Sequence, residues 1–269
     1  HVQYGRFIKG IFVGRTYGPE KAAVHCPAPA LGYSFEYHQC VTDLVTRTFP
    51  VTLSVAVGAF VLWMGIGVGL GTLAALKRGK WQDRFATTFS VVGISLPTFF
   101  VGLLTVLIVV IWTGLMKFPQ YVGFTENPLK WFTGLILPWF TLAIVSASTY
   151  VRLTRNGILE VMNEEFVRLG LAKGVKRRKL IVKYVMRAAM VPIVTIAGLD
   201  FAALLGGAVI TESVFNLPGM GKLSIKAVSD SDLPVLVATT LVAAVLIVIA
   251  NAVVDIAYGF LDPRVREKA

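Results

Sequence analysis

Three places in this 269-residue sequence hold side chains whose types and spacing could do chemistry. His25 adjoins Cys26, and His38 lies two before Cys40. Together they offer four donors that could hold a metal, or two thiols that could close a disulfide. The segment Asn216–Ser224, NLPGMGKLS, resembles the start of a phosphate-binding loop. It fails that pattern: the first glycine would have to be residue 216, which is Asn216, and Leu223 stands where the loop needs Ser or Thr. Asp200 is the third, an acid inside an otherwise apolar run, with Glu212 at the far end of that run. An ionisable group at membrane depth is costly, and it usually faces a cavity or a partner. Contact with a passing substrate and pairing with a basic or hydroxyl group both fit Asp200. All three histidines lie in the first forty residues, and no GxSxG, HExxH or dinucleotide fingerprint occurs. The chain is therefore not expected to be an enzyme by itself, nor to bind a cofactor or a metal.

The longest charged stretch between apolar runs is Glu160–Pro192. It carries Arg168, Lys173, Lys176, Arg177, Arg178, Lys179, Lys183 and Arg187 beside Glu160, Glu164 and Glu165. In its middle Phe166, Val167, Leu169, Leu171 and Ala172 form an apolar set that ends at Gly174. A short helix with an apolar face, stopped by glycine, needs something to bury that face. It could lie at the lipid headgroups or dock a cytosolic protein, and spacing alone leaves both open.

The elements that must position these residues are membrane spans. Mean hydropathy is +0.71 and 55% of residues are hydrophobic, against 15% charged, too apolar for an ordinary soluble domain. Pro50–Leu76, Phe85–Met116, Trp131–Val151 and Leu233–Val254 contain no Asp, Glu, Lys or Arg, and Ala188–Thr211 contains only Asp200. A hydrocarbon core takes about 20 helical residues, so the fold class is an all-α integral membrane protein with five spans in this chain. The net charge of +11 is not spread like a nucleic-acid surface. Lys77, Arg78, Lys80 and Arg84 follow the first span, the dense basic block follows the third, and Arg264, Arg266 and Lys268 follow the fifth. The alternate loops hold only Lys117 with Lys130, and Lys222 with Lys226. The positive-inside rule puts the basic loops and the C-terminus in the cytoplasm.

That orientation places residues 1–48 outside, 49–261 in a transmembrane domain with a cytoplasmic loop at 157–187, and 262–269 in a cytoplasmic tail. An outside N-terminus, together with His1 as first residue, leads to the expectation of an earlier helix and six spans in the intact protein. Cys26 and Cys40 then lie in an oxidising compartment, where a disulfide is the expected state.

Within the outer segment, Tyr4, Phe7, Ile8, Ile11 and Phe12 suggest a short amphipathic helix. In the first span Gly65/Gly69 and Gly67/Gly71 are four apart and make small faces for close helix approach. Pro97 frees a carbonyl in the second span, through ordinary bending or a kink beside a substrate passage. Arg152 and Arg155 can snorkel to the inner interface, Gly206–Gly207 allows helices to approach, and Asn251 and Asp255 could pair helices near the inner end of the fifth span.

The residues also carry a resemblance. RLGLAKG followed by KRRKLIVKYVMRAAMVPIVT is similar to the "EAA" loop of ATP-binding-cassette importer permeases. FPVTLSVAVGAF, LAALKRGKWQDR, GISLPTFFVGLL, ILPWFTLA, GLDFAALLGGAVITESVFNLPGMGKL and LDPRVR continue it in order over about two hundred residues. The chain is identified as a member of the dipeptide/oligopeptide family, B-type (first) permease subunit. It departs from the pattern at the name-giving positions, here Arg168, Leu169 and Gly170, and at Arg187, where many relatives have proline. The resemblance implies a type I ABC importer permease fold, six spans in the intact protein, and import of di- or oligopeptides by alternating access. Its implied partners are a second permease, two cytosolic ATPases that carry ATP and Mg, and an extracytoplasmic solute-binding protein in a bacterial or archaeal cell membrane. The ATPase-coupling residues would be Glu165, Phe166, Val167, Arg168, Leu169, Gly170, Leu171, Ala172, Lys173 and Gly174; the substrate pathway would pass Pro97, Asp200 and Glu212. Relatives of the same family that carry nickel, glutathione or sugars, an ion-gradient-driven transporter, and a membrane receptor that transports nothing are the competing readings.

Overall fold

The computed structural model describes residues 2–18 and 23–261. Helix α1 (Val2–Val13) leads into two small antiparallel hairpins, β1 (Arg15–Tyr17) with β2 (Val24–Cys26) and β3 (Tyr33–Ser34) with β4 (Gln39–Cys40). A disulfide joins Cys26 to Cys40 across them, with Cα atoms 5.7 Å apart. His25 is engaged with the Thr16 hydroxyl at 3.2 Å. On α1, Ile11 packs against the protein while Phe12 stands exposed, so only part of the expected face is covered.

Helix α2 runs Val41–Leu76, starting eight residues before the expected boundary at Phe49. The helix continues through Pro50 without a break. Helix α5 (Pro128–Met162) lies along α2 and forms the centre of the bundle. Glycines set their separation. A Cβ at Gly58 would stand 2.0 Å from the Trp139 ring, one at Gly67 2.5 Å from Tyr150 Cβ, and one at Gly71 2.7 Å from the Val151 carbonyl. Of the two small faces expected, Gly67/Gly71 meets α5. Gly65/Gly69 meets nothing within 4 Å.

The second expected span is not one helix. It consists of α3 (Trp81–Ser95) and α4 (Thr98–Thr105), the latter extended by a π-helical turn through Trp112 and bent 102° from α3. The cause is local. Pro97 forbids helical geometry at the residue before it, and Leu96 is extended at φ −93° and ψ 125°. Pro97 is thus a helix starter, a sharper feature than the kink expected from sequence. On its two sides α3 closes on α5 where Gly93 meets Ser148, and α4 closes on α5 and the later chain at Gly102.

The fourth span also ends early. A short helix α7 (Arg177–Leu180) passes through a π-helical turn into α8 (Met186–Leu205). Gly207, at φ +128°, then turns the chain away, so the span stops at Leu205 rather than Thr211. Glu212 therefore sits on a separate short helix, α9 (Val209–Val214), and α10 (Met220–Ser229) follows before α11 (Leu233–Leu261) closes the bundle against α8. Among the described residues, four helices are long and apolar enough to cross a membrane, or five if the bent pair counts as one. The 262–269 tail and the Asp255 side chain lie outside the described residues; Asn251 Oδ1 is buried in α11 without a hydrogen-bond partner.

Candidate functional site

Between α5 and α7, residues Glu165–Ala172 form one further helix, α6. Extended Glu164 starts it. Gly174, at φ +79°, ends it in the left-handed conformation that glycine adopts freely, with the amides of Lys173 and Gly174 donating to the carbonyls of Leu169 and Leu171. The apolar set on this helix divides between two directions. Val167 is buried among Ala75, Ile158, Leu180, Val185 and Ala189, and so ties α6 to α2, α5 and the start of α8. Gly170 gives it room: a Cβ there would meet Leu180 at 2.8 Å. Phe166 and Leu169, three apart, point away from Val167, 41% and 60% exposed, while Leu171, one turn after Val167, lies beside the anchored side and is 47% exposed. Burying Val167 is worth about 1.5–3 kcal/mol, enough to seat a two-turn helix whose outward face is uncovered. Arg168, Ala172, Lys173, Lys176, Arg177, Arg178 and Lys179 frame the helix, all exposed. A short helix is thus fixed on one side and presents Phe166 and Leu169 on the other, beside basic residues.

The ends of the helices on either side of α6 are held by charge. Arg155 does not snorkel freely: its Nε and Nη2 donate to the two oxygens of Asp83, at 2.5 and 3.1 Å, and Asp83 also accepts from the Gly79 amide. A bidentate pair of this kind fixes the start of α3 against α5. The sequence marks Arg155 but not its partner, because Asp83 sits in a run of four basic residues.

Farther along the same helices, Tyr150 on α5 donates from its hydroxyl to Asp200 on α8 at 2.6 Å. Both line an open cleft of about 490 Å³, together with Trp63, Val145, Ser146, Thr149, Ala203 and Leu204. Tyr150 is itself buried and stacked on Trp63, with ring centres 6.2 Å apart, whereas Asp200 is exposed. Asp200 therefore has both a hydroxyl partner and a cavity. Thr149 also lines a second cleft of about 320 Å³, bordered by Arg152, Asn156, Glu160 and Pro192, that continues along α5 toward α6.

Glu212 and Pro97 are not in these clefts. Glu212 is fully buried, accepting from the Thr52 hydroxyl at 2.7 Å and from the Lys222 amide at 3.0 Å, while Thr52 Oγ1 accepts from the Met220 amide at 2.8 Å. Those amides open α10, so an acid and a threonine together cap its N-terminus. Burial holds the Glu212 carboxyl above its ordinary range, against the opposing pull of the Lys222 amide and the Thr52 hydroxyl. The glycines of NLPGMGKLS serve this contact. A Cβ at Gly219 would fall 2.3 Å from the Glu212 carboxyl, and one at Gly221 2.7 Å from Val209 Cα.

Residues 67–267 match the binding-protein-dependent transport system inner membrane component, and residues 1–56 match the N-terminal part of such a membrane component. The chain belongs to this family. A protein of Brucella abortus (strain 2308) named for a peptide transport system permease is 36% identical over 236 residues, covering 88% of this permease and 75% of the relative. The dipeptide transport system permease protein DppB of Haemophilus influenzae (strain ATCC 51907 / DSM 11121 / KW20 / Rd) is 35% identical over 257 residues, 87% of this permease and 76% of the relative. DppB of Escherichia coli (strain K12) is 33% identical over 261 residues, with 88% and 77% covered. Among solved structures, the inward-facing methionine ABC transporter MetNI superposes with a TM-score of 0.60 at 17% identity, over 82% of this permease and 95% of that chain. An amino acid ABC transporter crystallised with histidines gives 0.59 at 16%, over 81% and 94%. These two fix the fold as that of a type I ABC importer permease. The permease is a multi-pass inner-membrane component of an ABC importer.

Proposed function

We propose that this permease moves di- or oligopeptides inward by alternating access, with α6 as the helix through which a cytosolic ATPase drives it. The observation that carries the reading is the outward face of α6: Phe166 and Leu169 exposed beside basic residues, on a helix whose Val167 is buried in one cluster with residues of α2, α5 and α8. An apolar centre with a charged border is the usual build of a protein interface. A lipid-surface helix would need no such rigid attachment. Peptide as the substrate is supported by the names of the relatives, which at 33–36% identity are peptide or dipeptide permeases.

In this reading α6 and the basic loops face the cytoplasm, as their charge distribution requires, and the disulfide-bearing hairpins face outward. Two ATPase subunits hold and hydrolyse ATP with Mg. A second permease supplies the opposite wall of the substrate path, and a solute-binding protein delivers peptide from outside. ATP-driven closure of the ATPases pulls α6, and the packing of Val167 and Gly170 passes that movement to α5 and α8, which carry Tyr150 and Asp200. Uptake assayed with the whole assembly in proteoliposomes tests this. Phe166→Asp or Leu169→Asp should let the permease insert yet separate ATP hydrolysis from uptake, lowering uptake about tenfold or more. Normal peptide uptake by both variants would overturn the role of α6.

A further inference from the structure

We infer that the cleft between α5 and α8 is a recognition point for the ammonium group of the transported peptide, with the Asp200 carboxylate as its counter-ion. The inference rests on the reading of this chain as a peptide permease. It begins from an anomaly of charge. An ionised carboxylate within a span calls for a compensating cation, yet none of the residues lining the cleft is basic. Among the described residues, what the chain supplies to Asp200 is one hydroxyl, that of Tyr150, on one of its two oxygens. The other side of the group is exposed to the cleft.

The rest of the lining suits an organic ammonium better than a metal ion. Tyr150 and Trp63, stacked on each other and both buried, form a rigid floor behind the carboxylate. Ser146 and Thr149 place hydroxyls in the same lining, and an ammonium, with three hydrogens to donate, can use them after the carboxylate is satisfied. The cleft therefore provides acceptors for the charged end of a peptide, a group that every peptide with a free N-terminus shares whatever its side chains. Such a site selects for the peptide class without selecting a sequence. The adjoining cleft past Thr149 leads from it toward α6.

The experiment is ATP-driven uptake of radiolabelled dialanine by the complete assembly in proteoliposomes, comparing Asp200→Asn, Asp200→Glu and Tyr150→Phe. Losing a charge-assisted contact should cost Asp200→Asn about tenfold or more in uptake. Asp200→Glu keeps the charge and should stay within about threefold. Tyr150→Phe keeps the carboxylate but removes the hydroxyl that holds it, and should lower uptake by about threefold, less than Asp200→Asn. Unaltered uptake by Asp200→Asn overturns the inference. So does an equal fall in all three variants, which would make the Tyr150–Asp200 hydrogen bond a purely structural tie. Dissociation of the two permeases in Asp200→Asn, seen by size-exclusion chromatography, would assign the acid to their contact and overturn it as well. Failure of the unaltered assembly to carry any peptide would instead overturn the proposed substrate class.

Discussion

At Glu212 a carboxyl fully withdrawn from solvent, the Thr52 hydroxyl and the first amides of α10 form one closed set of hydrogen bonds. Buried polar groups cost most when one partner is removed and the others stay. Glu212→Ala leaves the Lys222 amide and the Thr52 hydroxyl unsatisfied and opens a void, so it should destabilise the permease by about 2–4 kcal/mol. Thr52→Val keeps the shape and removes the bridging hydroxyl, at about 1–2 kcal/mol. Thermal unfolding of the purified permease in detergent measures both, and a change within error for Glu212→Ala would contradict the capping role. The contrast with Asp200 is instructive. One acid is saturated by donors and buried; the other has one hydroxyl and an open cleft. From sequence they look alike, two acids twelve residues apart on the same apolar run.

Among the elements, glycine positions decide how closely helices approach. Gly71→Ala would drive a methyl group to 2.6 Å from Thr154 Cβ and 2.7 Å from the Val151 carbonyl, and neither can move without shifting α5. We expect a loss of about 1–3 kcal/mol. Gly69→Ala meets nothing within 4 Å and should be neutral or stabilising by up to about 1 kcal/mol, from helix propensity alone. Equal effects of the two in the isolated permease would refute the close α2–α5 packing. The sequence showed both small faces but not which one is used, since the choice depends on the rotation of α2 against a helix some ninety residues later. Span existence was likewise legible from uncharged runs alone, while span ends were not. Hydropathy cannot register that Pro97 starts a helix or that Gly207 turns the chain, because both changes are in backbone geometry with no change of polarity. The division of the α6 apolar set into an anchoring Val167 and an outward Phe166 and Leu169 was hidden for a similar reason. On so short a helix both directions are apolar, and only the neighbours Ile158 and Leu180 reveal which is inward.

Across the whole molecule, the mechanism depends on one mechanical connection: α6 at one end of the bundle, the Asp200 cleft farther along, and α5 and α8 common to both. Val167 shares one buried cluster with Ile158 and Ala189 on those helices, the packing by which a shift of α6 would be passed to them. Whether the connection is used depends on what covers the outward face of α6. Both cysteines of this sequence are tied in the Cys26–Cys40 disulfide, so a thiol introduced at Leu169 would be the one free thiol among these 269 residues. The most direct measurement is therefore cross-linking from Leu169→Cys, derivatised with a short photoactivatable reagent in native membranes. The account predicts a single major adduct to an ATP-binding-cassette ATPase, its yield changing when ATP is added. Adducts to lipid alone, with or without nucleotide, would contradict it.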